Sequence, residues 1–230
     1  MDNQITLEQQ LGIRGYLRKI FMYMGMALFI SAVTAYLSID TGLFYLFLVA
    51  TNFYGHIILL FAQIGLVFFI SRRIAESSYK TLLTLFIVYS VLTGFTLSIY
   101  LLMYEMYYIF LAFGLTSLLF VNLAIIGYTT KMDLTKYSTI LFGGLITLII
   151  VTLVNNFLRI DTLTTIINYV GVIIFMGITA YDVQKVKAGY LEIENNQELL
   201  DKFTIYWSLN LYLDFINMFL YILRIVGKKK

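Results

Sequence analysis

Asp214 stands inside Leu209-Asn210-Leu211-Tyr212-Leu213-Asp214-Phe215-Ile216-Asn217-Met218-Phe219-Leu220-Tyr221, a run otherwise apolar enough to cross a bilayer. A charge near the bilayer centre costs at least about 2.5 kcal/mol, so an acid kept there is by default a functional group facing a bundle interior. Asp182 ends a second apolar run, about one turn before Lys185 and Lys187, which must reach water. If these carboxyls meet in a low-dielectric site they cannot readily both ionise, and the pair then shares a proton and titrates as one unit. That is the chemistry of a proton-sensitive switch. Two plainer readings stay open at this stage: Asp182 as a solvated interfacial carboxylate, and Asp214 as a neutral hydrogen-bonding strut between helices. Asn210, Asp214, Asn217 and Tyr221 recur at i, i+4, i+7 and i+11, so every strongly polar side chain of the last run lies on one helical face. Asn168, Thr179 and Asp182 share one face of the preceding run, with Gly171 nearby to permit close helix approach.

The elements that must position these groups follow from the composition. With 60% hydrophobic residues, 13% charged residues and a mean hydropathy of +0.86, the chain is too apolar for a soluble domain and reads as an all-α membrane protein. At about 20 residues per crossing, 230 residues supply six or seven spans and little else, so residues 1–230 form a single integral membrane domain. Apolar runs predict helices over 17–38, 43–70, 82–103, 106–129, 138–157, 163–187 and 205–226. The Ala27, Ser31, Ala35 stripe reads as helix packing, and the first run as a retained span rather than a signal peptide. The absence of Cys excludes thiolate chemistry, and His56 alone excludes a multi-histidine metal centre. A net charge of +3, spread over several loops, gives no basis for nucleic-acid binding. Those basic residues report topology instead. Arg14, Arg18, Lys19, Arg72, Arg73, Lys80, Lys131, Lys136, Lys185, Lys187 and Lys202 fall on one side, which the positive-inside rule makes cytoplasmic together with the amino terminus. The tail Arg224, Lys228, Lys229, Lys230 disagrees: seven spans put it outside, whereas six spans and a re-entrant last segment keep it inside. Seven crossings are expected, because the first helices dominate orientation.

Thr179-Ala180-Tyr181-Asp182-Val183-Gln184-Lys185, followed after a polar loop by the Leu209–Phe219 string, resembles the paired signature of the Bax inhibitor (transmembrane Bax inhibitor motif) family in its bacterial branch. The resemblance extends to the layout of seven hydrophobic segments. It implies seven transmembrane helices with the last one central and wrapped by the other six, a bacterial inner-membrane location, and activity as a pH-sensitive calcium leak channel. It places the family's di-aspartyl pH sensor on Asp182 and Asp214. A basic latch that pairs with that sensor falls in Phe69-Ile70-Ser71-Arg72-Arg73. Ser71 stands where an Arg is expected, which leaves Arg72 first and Arg73 second as the partner. Calcium takes six to eight oxygen ligands, so Asp182 and Asp214 with Asn210 or Asn217 make a sparse set. A transient, partly hydrated site on an ion path fits this set, as conduction requires. No tightly bound cofactor is implied; calcium is cargo.

Enzyme readings fare poorly. No His/Glu metal spacing, nucleophile elbow or phosphate-cradling Gly loop occurs, and neither Asp has the Gly-x-Gly-Asp type context that intramembrane aspartyl proteases show. A proton-coupled transporter has carboxylate relays in its favour but no paired broken helices. The reading from a different class is a non-conducting regulator that binds a membrane protease or another membrane partner, a role associated with some bacterial relatives.

Overall fold

A computed structural model describes residues 6–52, 54–74 and 76–230. Its helices are α1 (Leu7–Asp40), α2 (Leu43–Ala50), α3 (Gly55–Arg73), α4 (Tyr79–Met103), α5 (Met106–Thr129), α6 (Ser138–Leu158), α7 (Asp161–Ile193) and α8 (Gln197–Val226), with a 3₁₀ turn at Leu134–Tyr137 before α6. Seven of these segments are long and apolar enough to cross a membrane. The eight-residue α2, about 12 Å long, is too short to do so.

The predicted 43–70 helix is not continuous, and Phe53 within it lies outside the described residues. The chain turns where Asn52 takes a left-handed φ of 47°, a conformation that Asn tolerates better than most residues. The Thr51 hydroxyl donates to the Phe47 carbonyl at 2.7 Å and accepts the Gly55 amide at 3.1 Å. At Gly55 a Cβ would sit 2.4 Å from the Phe47 ring, so any larger residue there would have to displace that ring. The predicted first helix starts too late for a different reason. Thr6 and Gln9 form a capping box, with Thr6 Oγ1 accepting the Gln9 amide at 3.2 Å and Gln9 Oε1 accepting the Thr6 amide at 3.1 Å. At 34 residues α1 is about 51 Å long, well beyond a hydrocarbon core of about 30 Å.

The chain packs as two compact units. The first takes the described residues up to Met103 together with Ala188–Tyr212. Ala27, Ser31 and Ala35 are buried there, as helix packing requires, and Gly94 of α4 lies so close to α1 that a Cβ would sit 2.4 Å from the Ser31 carbonyl. Beyond the apolar stretch, Lys19 pairs with Asp201 at 2.6 Å and Gln9 donates to Glu194 at 2.9 Å.

The second unit comprises Tyr104–Lys187 and Leu213–Lys230. Gly127 of α5 meets the Ala180 backbone of α7, where a Cβ would sit 2.3 Å from the carbonyl oxygen. Phe113 and Phe120 of α5 set their edges against Phe215 of α8 at 5.4 and 5.5 Å. Outward-facing side chains such as Ile140, Phe157 and Ile173 are apolar and exposed, as a lipid-facing surface requires. Helix α8 runs unbroken for 30 residues. Its tail is fixed at the α4–α5 turn: Tyr104 and Lys229 form an antiparallel bridge, the Glu105 amide donates to the Lys228 carbonyl at 3.3 Å, and Lys228 lies 3.7 Å from Glu105. A re-entrant segment would have to reverse within the membrane, and α8 contains no such reversal.

Candidate functional site

Helix α7 carries Asp182 and α8 carries Asp214, both within the second unit. The two helices run antiparallel there: Gly171 meets Tyr221, and Asp182 meets Asp214. The carboxyls lie within hydrogen-bonding reach of each other. Exposures of 9% and 5% leave neither open to solvent, which disfavours Asp182 as a surface carboxylate. Asp214 Oδ2 is buried with no N–H or O–H donor on it among the described residues. A proton held between the two carboxyls is a donor that the pair itself can supply. Two unit charges 4 Å apart repel by about 4 kcal/mol at an effective dielectric of about 20, which favours one negative charge on such a pair over two. Lys185, one turn further along α7, acts on Asp182 electrostatically, and its ammonium lies 5.4 Å over the Tyr181 ring.

The other predicted groups are placed as follows. Asn217 is half-buried and turns its amide back to donate to the Leu213 carbonyl at 2.8 Å. Asn210, one turn before Asp214 on α8, is half-buried and belongs to the first unit. Arg72 and Arg73 are exposed at the end of α3, also in the first unit, each with its guanidinium over a ring of its own helix: Phe68 at 4.4 Å and Phe69 at 5.6 Å. Thr179 is buried and donates to the Phe175 carbonyl at 2.8 Å. Among the described residues no group of three or more His, Cys, Asp or Glu side chains converges on a metal-sized site. Asp182 and Asp214 are therefore a pair of carboxyls that no third such side chain joins among the described residues.

Two arrangements escaped the sequence reading. The Gln184 amide clamps the α5–α6 connection, accepting from the Leu134 amide at 2.8 Å and donating to the Met132 carbonyl at 2.7 Å. In the first unit a buried hydroxyl chain ties four helices: Gln63 donates to Thr93 at 3.1 Å, Thr93 reaches Tyr89 and Tyr212, Tyr212 lies 2.7 Å from Ser31 Oγ, and Ser31 Oγ lies 2.7 Å from the Ser90 carbonyl. Each hydroxyl has one proton to give, and the chain closes if Thr93 donates to Tyr212, Tyr212 to Ser31, and Ser31 to the carbonyl. Because it begins on an amide and ends on a carbonyl, neither of which ionises in the physiological range, it pins the helices and is no proton wire. Tyr212 and Asp214 are two residues apart on α8, so one helix presents the pin and the acid on nearly opposite faces. The available signal was Tyr212 itself, a polar tip inside an apolar run and off the Asp214 face.

The family described as inhibitor of apoptosis-promoting Bax1 matches residues 13–230. A protein of Borreliella burgdorferi is 39% identical over 215 residues, covering 94% of this chain and 92% of the relative. A protein of Rickettsia prowazekii is 37% identical over 219 residues, covering 95% and 92%. The inner membrane protein YbhL of Escherichia coli (strain K12) is 36% identical over 225 residues, covering 97% and 96%.

Proposed function

The chain belongs to the Bax inhibitor-1 family of membrane proteins, and from that premise we propose that it is a pH-sensitive calcium leak channel gated by the Asp182–Asp214 pair. The observation that carries this reading is the contact of two buried carboxyls, one of them with an oxygen that no donor among the described residues reaches. Loss of a shared proton introduces repulsion that favours separation of α7 from α8, or pairing of one acid with Arg72 or Arg73. Asp182 and Asp214, with Asn210 or Asn217, would then give calcium a few oxygens and leave most of its water in place. Such a site is weak enough to release the ion.

In this proposal residues 1–230 act as one integral membrane domain in a bacterial inner membrane, the location in the name of the Escherichia coli relative. The amino terminus is cytoplasmic, as the distribution of Lys and Arg favours. The last helix is taken as central and wrapped by the other six, a reading supported by its being the most buried of the seven candidate spans. The protein performs no catalysis, binds no nucleic acid and holds no cofactor tightly.

The test is calcium flux into proteoliposomes containing only this protein, across pH 5 to 8, about the range over which shifted carboxyls titrate. Passive flux that follows the electrochemical gradient, needs no nucleotide and varies with pH is expected. Correctly folded protein with no flux above empty liposomes at any of these pH values would overturn the channel reading in favour of a regulator that needs a membrane protease or other partner.

A further inference from the structure

The seam between α7 and α8 in the second unit holds more than the acids. On α7, Asn168, Phe175 and Asp182 are spaced by seven residues, or two turns, and share one face. On α8, Asp214 and Tyr221 have the same spacing. The Phe175 and Tyr221 rings pair with centroids 6.0 Å apart, tilted by 33°, two turns or about 10 Å from the carboxyl pair along each helix. The far edge of the Tyr221 ring rests on Gly171, where a Cβ would meet three ring carbons at 2.7 Å each. Any side chain at 171 would displace the ring. Arg224, exposed, lies over the same ring at 5.7 Å and secures it by a cation–π contact.

Asn168 lies two turns beyond Phe175, away from the acids. Its side chain is 5% exposed, and its Oδ1 has no hydrogen-bond donor among the described residues. Two buried acceptor oxygens without donors, Asn168 Oδ1 and Asp214 Oδ2, thus flank an aromatic pair along one seam. A lone amide oxygen is a hard, neutral ligand: it cannot strip a divalent ion of its water, but it can accept from water around one.

We propose that Phe175 and Tyr221 are the closed gate of this seam, and that Asn168 is a second station where a hydrated divalent cation waits on the side of the gate opposite the Asp182–Asp214 pair. The assignment rests on the leak-channel reading for the identity of the ion, but not for the existence of the gate. Apolar rings close a path by excluding water, and the path opens when Tyr221 leaves Gly171. The gate stands apart from the carboxyl switch, so that protonation and closure are separate steps on the same two helices.

The test uses the whole protein in proteoliposomes, with folding checked by size-exclusion chromatography and thermal unfolding. Tyr221→Ala, and Gly171→Ala acting through the displaced ring, should each raise calcium flux on the order of tenfold at the pH where the unaltered protein leaks least. Tyr221→Phe keeps the ring and should raise flux far less than Tyr221→Ala does, while Asn168→Leu should lower flux in the open state. A second readout needs no flux. The chain has no Cys, so Thr179→Cys, between the rings and the acids, is the only thiol for a reagent applied from the carboxyl-terminal side. It should react slowly with Tyr221 present and faster in combination with Tyr221→Ala. Unchanged flux and unchanged labelling in the Tyr221→Ala and Gly171→Ala variants would overturn the gate even if the unaltered protein conducts calcium. Labelling that depends on Tyr221 in a protein with no flux would keep the gate and remove calcium as its cargo.

Discussion

A carboxyl pair and two isolated acids differ in how substitutions combine. Asp182 and Asp214 touch and share a buried site, so removing either charge dissolves the pair. Asp182→Asn and Asp214→Asn are each expected to abolish the pH dependence of flux, and the double variant to match either single one, because contacting residues are non-additive. Additive effects would break the shared-proton account while leaving conduction standing. If Arg72 is the latch of the proposed mechanism, Arg72→Ala should move the pH midpoint without abolishing titration, since it would remove a partner of the ionised form and leave the dyad intact. Flux against pH for these proteins, with thermal unfolding to verify folding, provides the comparison. The sequence named both acids through their cost in a membrane. It did not identify Asn168 Oδ1 as an orphan acceptor, because whether a polar atom finds a donor depends on neighbours far away in the chain.

Between α5 and α6 the chain is fixed by two side chains of different kinds. Gln184 holds Leu134 and Met132 from α7 with an uncharged amide. Asp133 caps the 3₁₀ turn, accepting the Thr135 amide at 3.0 Å and the Thr135 hydroxyl at 2.5 Å. The Thr135 hydroxyl first, then the Thr135 amide and the nearby Lys136, hold the Asp133 carboxyl below its ordinary value. A group lowered on folding stabilises the folded turn fully above its unfolded value, about 3.9 for Asp, and that stabilisation is lost as pH falls through the lower folded value. Hydrogen exchange at Leu134–Tyr137 is therefore expected to stay protected at pH 5 and to lose protection only in stronger acid. Gln184→Ala should raise exchange at Leu134 at every pH. Pinning by Asp133 alone would instead leave exchange at Leu134 unchanged by the Gln184 substitution. Among the elements, the α2–α3 break was hidden by hydrophobicity: Phe47 is as apolar as a spanning helix requires, and only its seat on Gly55 reveals a corner.

Sidedness belongs to the whole molecule. The tail bridges to Tyr104, where α4 ends and α5 begins, whereas Lys131 lies in the connection at the far end of α5. Single cysteines replacing Lys131 and Lys230, in a chain with none of its own, are expected to react with an impermeant thiol reagent from opposite sides of the membrane. Reaction from the same side would mean that α8 fails to cross despite its 30 residues. Opposite-side reaction would mean that the basic tail defies the local charge rule, held by backbone pairing at Tyr104 and Glu105 and outweighed by the earlier segments.

Composition and periodicity by themselves determined the solvent, the seven long apolar helices and the two acids, since each is a statement about one segment's transfer into lipid. Tertiary structure alone decided what those segments do to each other. It set Asp182 against Asp214, seated Tyr221 on Gly171, closed the hydroxyl chain through Tyr212 and broke the second run at Asn52. These are contacts between residues as much as 181 positions apart. A helix-period pattern says which face a side chain occupies, and only the packed partner says what that face meets.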